Sequence, residues 1–369
     1  MDARILSLLV LLAFCTGEVL CLSAGSGEAQ DISRRSAFPW QRPKDFFSIK
    51  NVLRLETLFL AYDSDERLLD IDQGLGNRSP SWPFISGDGF RYLSHYVCEE
   101  RHCGPAPWAK DILDRSLHQK DSCVLVFAKG DFLVQVKEQV LSKLKIPFIL
   151  FTQNSAVEAP GPDGEDILEN PLLRAWFAKN ANSSIVPLPK TLIPIPIGVE
   201  SRWAKVGKHP SRYFKFMRQT RLVTPVTGVY VSFKIDTWPI ERAHCIRVLS
   251  TKPFATVSTK FSSQDKYLKA VLQNKFTATP RGRGMDSHRL WEVLMLGRYP
   301  IVVTSPLDWL YEDLPVLIIS KWEDVTMELL EEKYAKFESH EYNFEKVFFT
   351  YWYSIIQCVK RTTDISSCY

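Results

Sequence analysis

From Cys123 to Ala128 the chain reads Cys-Val-Leu-Val-Phe-Ala, with no polar side chain. Apolar groups at every position suit a strand covered on both faces, as in a buried parallel sheet. Asp131 follows as a candidate helix cap. Leu133, Val136, Val140 and Leu144 then recur at helical spacing, and Pro147–Phe151 reads as the next strand. Strand, helix, strand in that order predicts a parallel α/β sheet with right-handed crossovers. Upstream, Pro83–Ser86 reads as a short strand entering a Gly87-Asp88-Gly89 turn and then an aromatic-rich helix, in which His95 falls.

A proline-dense connector follows, holding Pro187, Pro189, Pro194 and Pro196, which no helix can continue through. Beyond it a second alternating series begins. Val229–Phe233, Phe254–Val257, Lys275–Thr279, Ile301–Thr304 and Val316–Ile319 read as strands. Tyr267–Leu272, Ser287–Leu296 and Asp324–Leu330 read as helices, and Val347–Val359 as a terminal one. A chain of 369 residues has room for two domains of about 100–200 residues each. The expected units are two Rossmann-like ones, 46–195 and 196–340, and a helical tail, 341–369. Ligands of such sheets bind beyond the carboxyl ends of the strands. That rule points to the loops after Ser86, Phe151, Phe233, Thr279 and Thr304.

The N-terminus speaks to compartment. Arg4 precedes an apolar run from Ile5 to Phe14, and small or uncharged residues lead to Ala24. This is the pattern of a secretory signal peptide over 1–24. Gly17 and Glu18 interrupt the run, so a short signal-anchor is the alternative to cleavage. Residues 25–45 read as a stem. Asn77-Arg78-Ser79 and Asn182-Ser183-Ser184 are glycosylation triplets. Six cysteines lie past the signal and allow 15 pairings. Cys98 with Cys103 and Cys358 with Cys368 are the local candidates, while Cys123 opens an apolar run and reads as a buried thiol. No cysteine spacing resembles a zinc site, so no structural metal is expected. The net charge of +4 lacks the concentrated basic face of a nucleic-acid binder.

The chemistry concentrates between Phe276 and Val303. The order there is a strand, a basic loop Pro280-Arg-Gly-Arg-Gly-Met-Asp286, a helix from Ser287, Gly297, and another strand. Gly282 and Gly284 permit close backbone approach. Asp286 or Ser287 reads as the helix cap, and the helix start offers N–H groups to an anion. Arg281, Arg283, His288 and Arg289 supply donors suited to a diphosphate. Glu292, one turn after Arg289, is placed to accept ribose hydroxyls; the alternative is an exposed Arg289–Glu292 ion pair. The Gly-Lys-Ser/Thr of a P-loop and the full dinucleotide fingerprint are both missing, which weakens an oxidoreductase reading. Asp63-Ser-Asp65 and Asp70-Ile-Asp72 read as solvated turns, not as a metal–nucleotide site.

The run Pro280–Glu292, followed by Gly297 and Pro300-Ile-Val-Val303, resembles the C-terminal signature of exostosin-like glycosyltransferases. Ile85–Arg91, Phe148–Ser155, Ile195–Val199 and Tyr230–Phe233 with Glu241-Arg242 resemble the same family in the same order. The resemblance covers about residues 80–330. It implies a GT-B fold and inverting transfer without a bound metal or other cofactor. The donor nucleotide sugar is then held by the C-terminal domain through Arg242, Arg281, Arg283, Gly284, Ser287, His288, Arg289 and Glu292. The acceptor, a glycan or glycoprotein, faces the N-terminal domain, where Asp88 is the candidate base. Exostosin-type donor loops commonly carry Gly-Asp where this chain has Gly284-Met285-Asp286, so the donor sugar does not carry over. The expected place of work is the Golgi or endoplasmic reticulum lumen, or outside the cell. The rival from another class is an inactive lectin-like or scaffold protein that kept the fold.

Overall fold

The computed structural model describes residues 41–63, 78–99, 103–105, 123–182, 189–202, 204, 209–258, 263–362 and 364–368. The signal segment, most of the stem, Asn77, Asp65, Asp70 and Asp72 lie outside the described residues.

Thirteen strands are described. They are β1 (Tyr96–Cys98), β2 (Cys103–Pro105), β3 (Val124–Lys129), β4 (Phe148–Gln153), β5 (Ala159–Pro160), β6 (Leu173–Ala178), β7 (Ala181–Asn182) and β8 (Leu192–Pro194). Then come β9 (Val226–Val231), β10 (Ala255–Val257), β11 (Asn274–Ala278), β12 (Tyr299–Val303) and β13 (Leu317–Ile319). The helices up to the second sheet are α1 (Pro43–Phe46), α2 (Ile49–Asp63), α3 (Gly87–Leu93), α4 (Leu133–Gln139), α5 (Glu165–Leu168) and α6 (Pro210–Met217). The rest are α7 (Pro239–Leu249), α8 (Gln264–Gln273), α9 (His288–Met295), α10 (Met327–Ser339) and α11 (Phe349–Arg361).

The first sheet has the order β2-β1-β3-β4-β6-β8 and is parallel except for the β1–β2 hairpin. Its two-sided apolar strands pack as their composition demands. Leu125, Phe127, Ile149, Phe151, Ala175 and Phe177 join a buried cluster that continues into the second sheet. Val124, Val126, Phe148, Leu150 and Trp176 face the other way, onto Leu133 and Val136 of α4 and Ile167 of α5. The second sheet, β10-β9-β11-β12-β13, is parallel throughout. A small parallel pair, β5–β7, makes a third sheet, and the protein is thus mixed α/β with two large, mostly parallel sheets.

The chain's two ends cross over. Phe46 of α1 stacks on Phe344, ring centres 4.8 Å apart, and α1 packs on α10. The terminal helix α11 returns to the first sheet, where Phe349 meets Trp82 and Phe90. Arg174 of β6 donates to the Thr362 carbonyl at 2.8 Å. Among the described residues no helix is long and apolar enough to cross a membrane. Disulfides join Cys98 to Cys103, across the β1–β2 hairpin, and Cys358 to Cys368, while Cys123 and Cys245 are buried free thiols.

Several local expectations need correcting. Pro83–Ser86 is no strand, because only Phe84 pairs, in an isolated bridge to Phe348. Gly87-Asp88-Gly89 is the first turn of α3 and not a loop. Asp131 does not cap α4. It sits in a 3-10 turn, Gly130–Phe132, that leads into the helix. His95 precedes β1 outside any helix, and its Nδ1 accepts the Leu125 N–H at 3.1 Å.

Candidate functional site

The second sheet reverses its direction of growth once. After β9 the chain lays β10 on one side, then returns to lay β11 on the other. The loops leaving β9 and β11 therefore diverge and open a crevice between them, the position where open α/β sheets take ligands. These loops are Ser232–Lys234 and Thr279–Ser287, and the second is the basic glycine loop.

Arg242 of α7 ties the two loops together. Its guanidinium donates to the Lys234 and Arg281 carbonyls, both at 2.7 Å, and to the Pro280 carbonyl at 3.3 Å. It is buried, and desolvation with the nearby Arg289 charge pushes it down to about 10. Arg242 therefore fixes the shape of the crevice; these donors are spent on carbonyls and not held out to a donor sugar. Three other arginines remain around the opening. Arg281 lies over the Trp238 ring at 4.3 Å, with Glu158 at 3.8 Å. Arg283 is exposed, with no ion pair among the described residues. Arg289 donates through Nε to the Ser232 carbonyl at 2.8 Å and faces the Tyr267 ring.

Helix α9 starts beside them, and neither expected cap is formed. Ser287 occupies the cap position without a side-chain cap bond, and its Oγ is buried without a partner among the described residues. An uncapped start leaves first-turn N–H groups for a ligand. Asp286 turns inward instead. Its carboxylate accepts the Ile197 N–H at 2.7 Å, the Trp291 indole N–H at 2.8 Å, the Ser287 N–H at 2.8 Å and the Tyr311 hydroxyl at 3.4 Å. Ile197 follows the last strand of the first sheet, so Asp286 pins the basic loop to that sheet. Burial pushes its pKa up, against the pull of these hydrogen bonds and of the Lys179 charge. Gly284 is needed here for a protein contact: a Cβ on it would lie 2.6 Å from the Asn180 amide.

Arg289 and Glu292 do not pair. Glu292 is buried and accepts the Tyr213 hydroxyl at 3.0 Å and the Gln264 amide at 2.9 Å. That corrects the exposed ion pair, and it makes Glu292 part of the packing between α6, α8 and α9. Asp88, the candidate base, lies in α3. Its side chain is wholly buried, and Arg78 donates to it at 2.7 Å while also meeting Glu99. Burial raises its pKa and Arg78 opposes the shift. Asn182 is half-buried, and its amide donates to Glu158 at 2.7 Å.

The sequence reading named His288 but not two groups near it, Glu200 on the connector between the sheets and Lys179. His288 sets Nδ1 2.8 Å from the Gly198 carbonyl and Nε2 3.4 Å from Glu200. Glu200 is about one-third exposed and holds the Ser201 N–H at 3.0 Å. Lys179, directly after β6, is 7% exposed and makes no ion pair among the described residues. Desolvation pushes it down to about 8, while Asp286, Glu200 and Asp131 act in the other direction. A pocket at the far end of the second sheet is lined by Lys275, Arg298, Tyr334 and Glu338 among others, away from the carboxyl ends of the strands.

Lys179 gives a readable pH dependence. Its folded value of about 8 lies below its ordinary 10.5, so between these values the unfolded chain binds more protons. Stability contributed by this group therefore rises with pH across that window, by up to roughly 3 kcal/mol. Denaturant unfolding from pH 7.5 to 10 should show wild type gaining on Lys179→Met. Parallel curves would mean that the lysine titrates normally.

Neither a scan against protein-family models nor a search of the curated proteins finds a match for this chain.

Proposed function

We propose that the protein is a nucleotide-sugar-dependent glycosyltransferase of the secretory pathway, with a GT-B arrangement like that of the exostosin-like family its sequence resembles. The observation that carries the reading is the reversal point of the second sheet. Arg281, Arg283, Arg289 and an uncapped eight-residue helix meet there, at the carboxyl ends of β9 and β11. Guanidinium groups and helix N–H donors suit a diphosphate, whose charge grows as it leaves. In this reading the arginines, and not a metal ion, meet that charge. The acceptor, a glycan or glycoprotein, comes from the side of the first sheet. Asp88 is enclosed by Arg78, so the carboxylate offered to an acceptor hydroxyl is Glu200. The two disulfides fit the oxidising lumen that this reading requires.

Titration calorimetry with UDP tests the phosphate site. Arg289→Ala removes a charge-assisted contact, so UDP affinity should fall roughly 10- to 150-fold. The Arg289→Ala melting curve should stay near that of wild type. Unchanged affinity in a folded variant would remove the site. Burial of Asp88 favours one second reading, a non-catalytic sugar-binding protein. Its mark would be UDP binding with no transfer from any of a panel of nucleotide sugars.

A further inference from the structure

We infer that Trp238, backed by Arg281, is the platform on which the planar base of a nucleoside diphosphate stacks at the mouth of the β9–β11 crevice. The inference rests on the phosphate site proposed above and adds the part of the ligand that site leaves unread. Trp238 stands between the turn Ile235–Thr237 and the start of α7, in the segment that follows β9. Arg281 comes from the loop after β11, so the 4.3 Å stack joins the two lips of the crevice. The stack is held in place. Arg242 bonds the carbonyls of Lys234 and Arg281, and its own N–H donates to the Trp238 carbonyl at 3.1 Å. Pro239 restricts the backbone directly after the ring.

The ring is nevertheless open to water. Trp238 is 38% exposed, and Ile235 and Ile240 beside it are 39% and 87% exposed. Single exposed apolar residues are ordinary. Three within six positions, in the segment that follows β9, put exposed apolar side chains beside the proposed phosphate site. A ligand that fits both has an anionic end and a flat aromatic end, which describes a nucleoside diphosphate. Stacking on an aromatic ring tolerates any base, because every base has a π-face.

Calorimetry on the full-length protein separates the two ends of the ligand. UDP and inorganic pyrophosphate are titrated into wild type, Trp238→Ala and Trp238→Phe. Trp238→Ala should weaken UDP roughly 5- to 150-fold, the usual range for losing one base–aromatic stack. Pyrophosphate affinity should not change, and Trp238→Phe should recover part of the loss. An equal loss for both ligands would make the ring a mere prop for Arg281 and overturn the inference. So would unchanged UDP affinity, including the case where Trp238→Ala raises only the acceptor KM. Equal wild-type affinity for UDP and pyrophosphate would overturn it as well, leaving the phosphate site standing. Binding of neither ligand to wild type would instead sink the phosphate site itself.

Discussion

Asp286→Ala should lose roughly 3–5 kcal/mol of unfolding free energy, far more than the loss of a surface helix cap. The carboxylate collects four donors in the interior, two of them the Ile197 N–H and the Trp291 indole N–H on a single oxygen. Truncation orphans both, and each buried unpaired donor costs about 1–3 kcal/mol. It also removes a countercharge felt by Lys179, whose ammonium is already desolvated. Asp286→Asn keeps one acceptor oxygen and should fall between wild type and the alanine variant. Urea unfolding of the three proteins measures this. A loss near 1 kcal/mol would return Asp286 to the role of an ordinary cap. UDP affinity should fall as well, because the basic loop is anchored to the first sheet through this side chain.

The difference between those two roles shows what the sequence made legible. Strands such as Phe148–Gln153 and Val226–Val231 were visible because a two-sided apolar run has few other uses. Their edges shifted by one to three residues, as hydrogen bonds set the ends and composition does not. The two local cysteine pairs were readable from short spacing. Roles set by distant partners were not. Glu292 looked exposed at helical spacing from Arg289, yet Tyr213, 79 positions away, and Gln264 claim it. Asp286 looked like a cap because a cap is local, whereas Ile197 lies 89 positions upstream. Asp88 beside two glycines suggested a turn, but the packing of Gly87 against Asn154 and the pull of Arg78 put it inside a helix turn. Lys179 did leave a trace: a lysine directly after the run Ala175-Trp-Phe-Ala178 sits where a sheet meets its ligand face. The reversal in strand order left none, since pairing order is not written in any single segment.

Glu200→Gln should reduce transfer by roughly 100- to 10,000-fold in kcat, the range for losing a general base. UDP affinity should hold. In a single inverting displacement the acceptor oxygen bonds to the anomeric carbon as the bond from that carbon to the phosphate oxygen breaks. The nucleoside diphosphate leaves with the electron pair, and the acceptor proton passes to a carboxylate. In the proposed reading Glu200 takes that proton. It stands on the connector between the sheets, partly exposed, 3.4 Å from the first residue of the helix whose start faces the leaving group. The Ser201 N–H holds one oxygen, and His288 Nε2 lies 3.4 Å from the other. Asp88 lacks these conditions, since its side chain is wholly buried, with Oδ1 held by Arg78. Glutamine keeps the size of Glu200 and the Ser201 contact, so a loss confined to kcat would isolate the missing proton acceptor. The assay uses whichever nucleotide sugar wild type turns over, with Asp88→Asn alongside. If Glu200→Gln keeps full kcat while a folded Asp88→Asn loses it, the base lies in α3, and its buried carboxylate must become reachable during turnover.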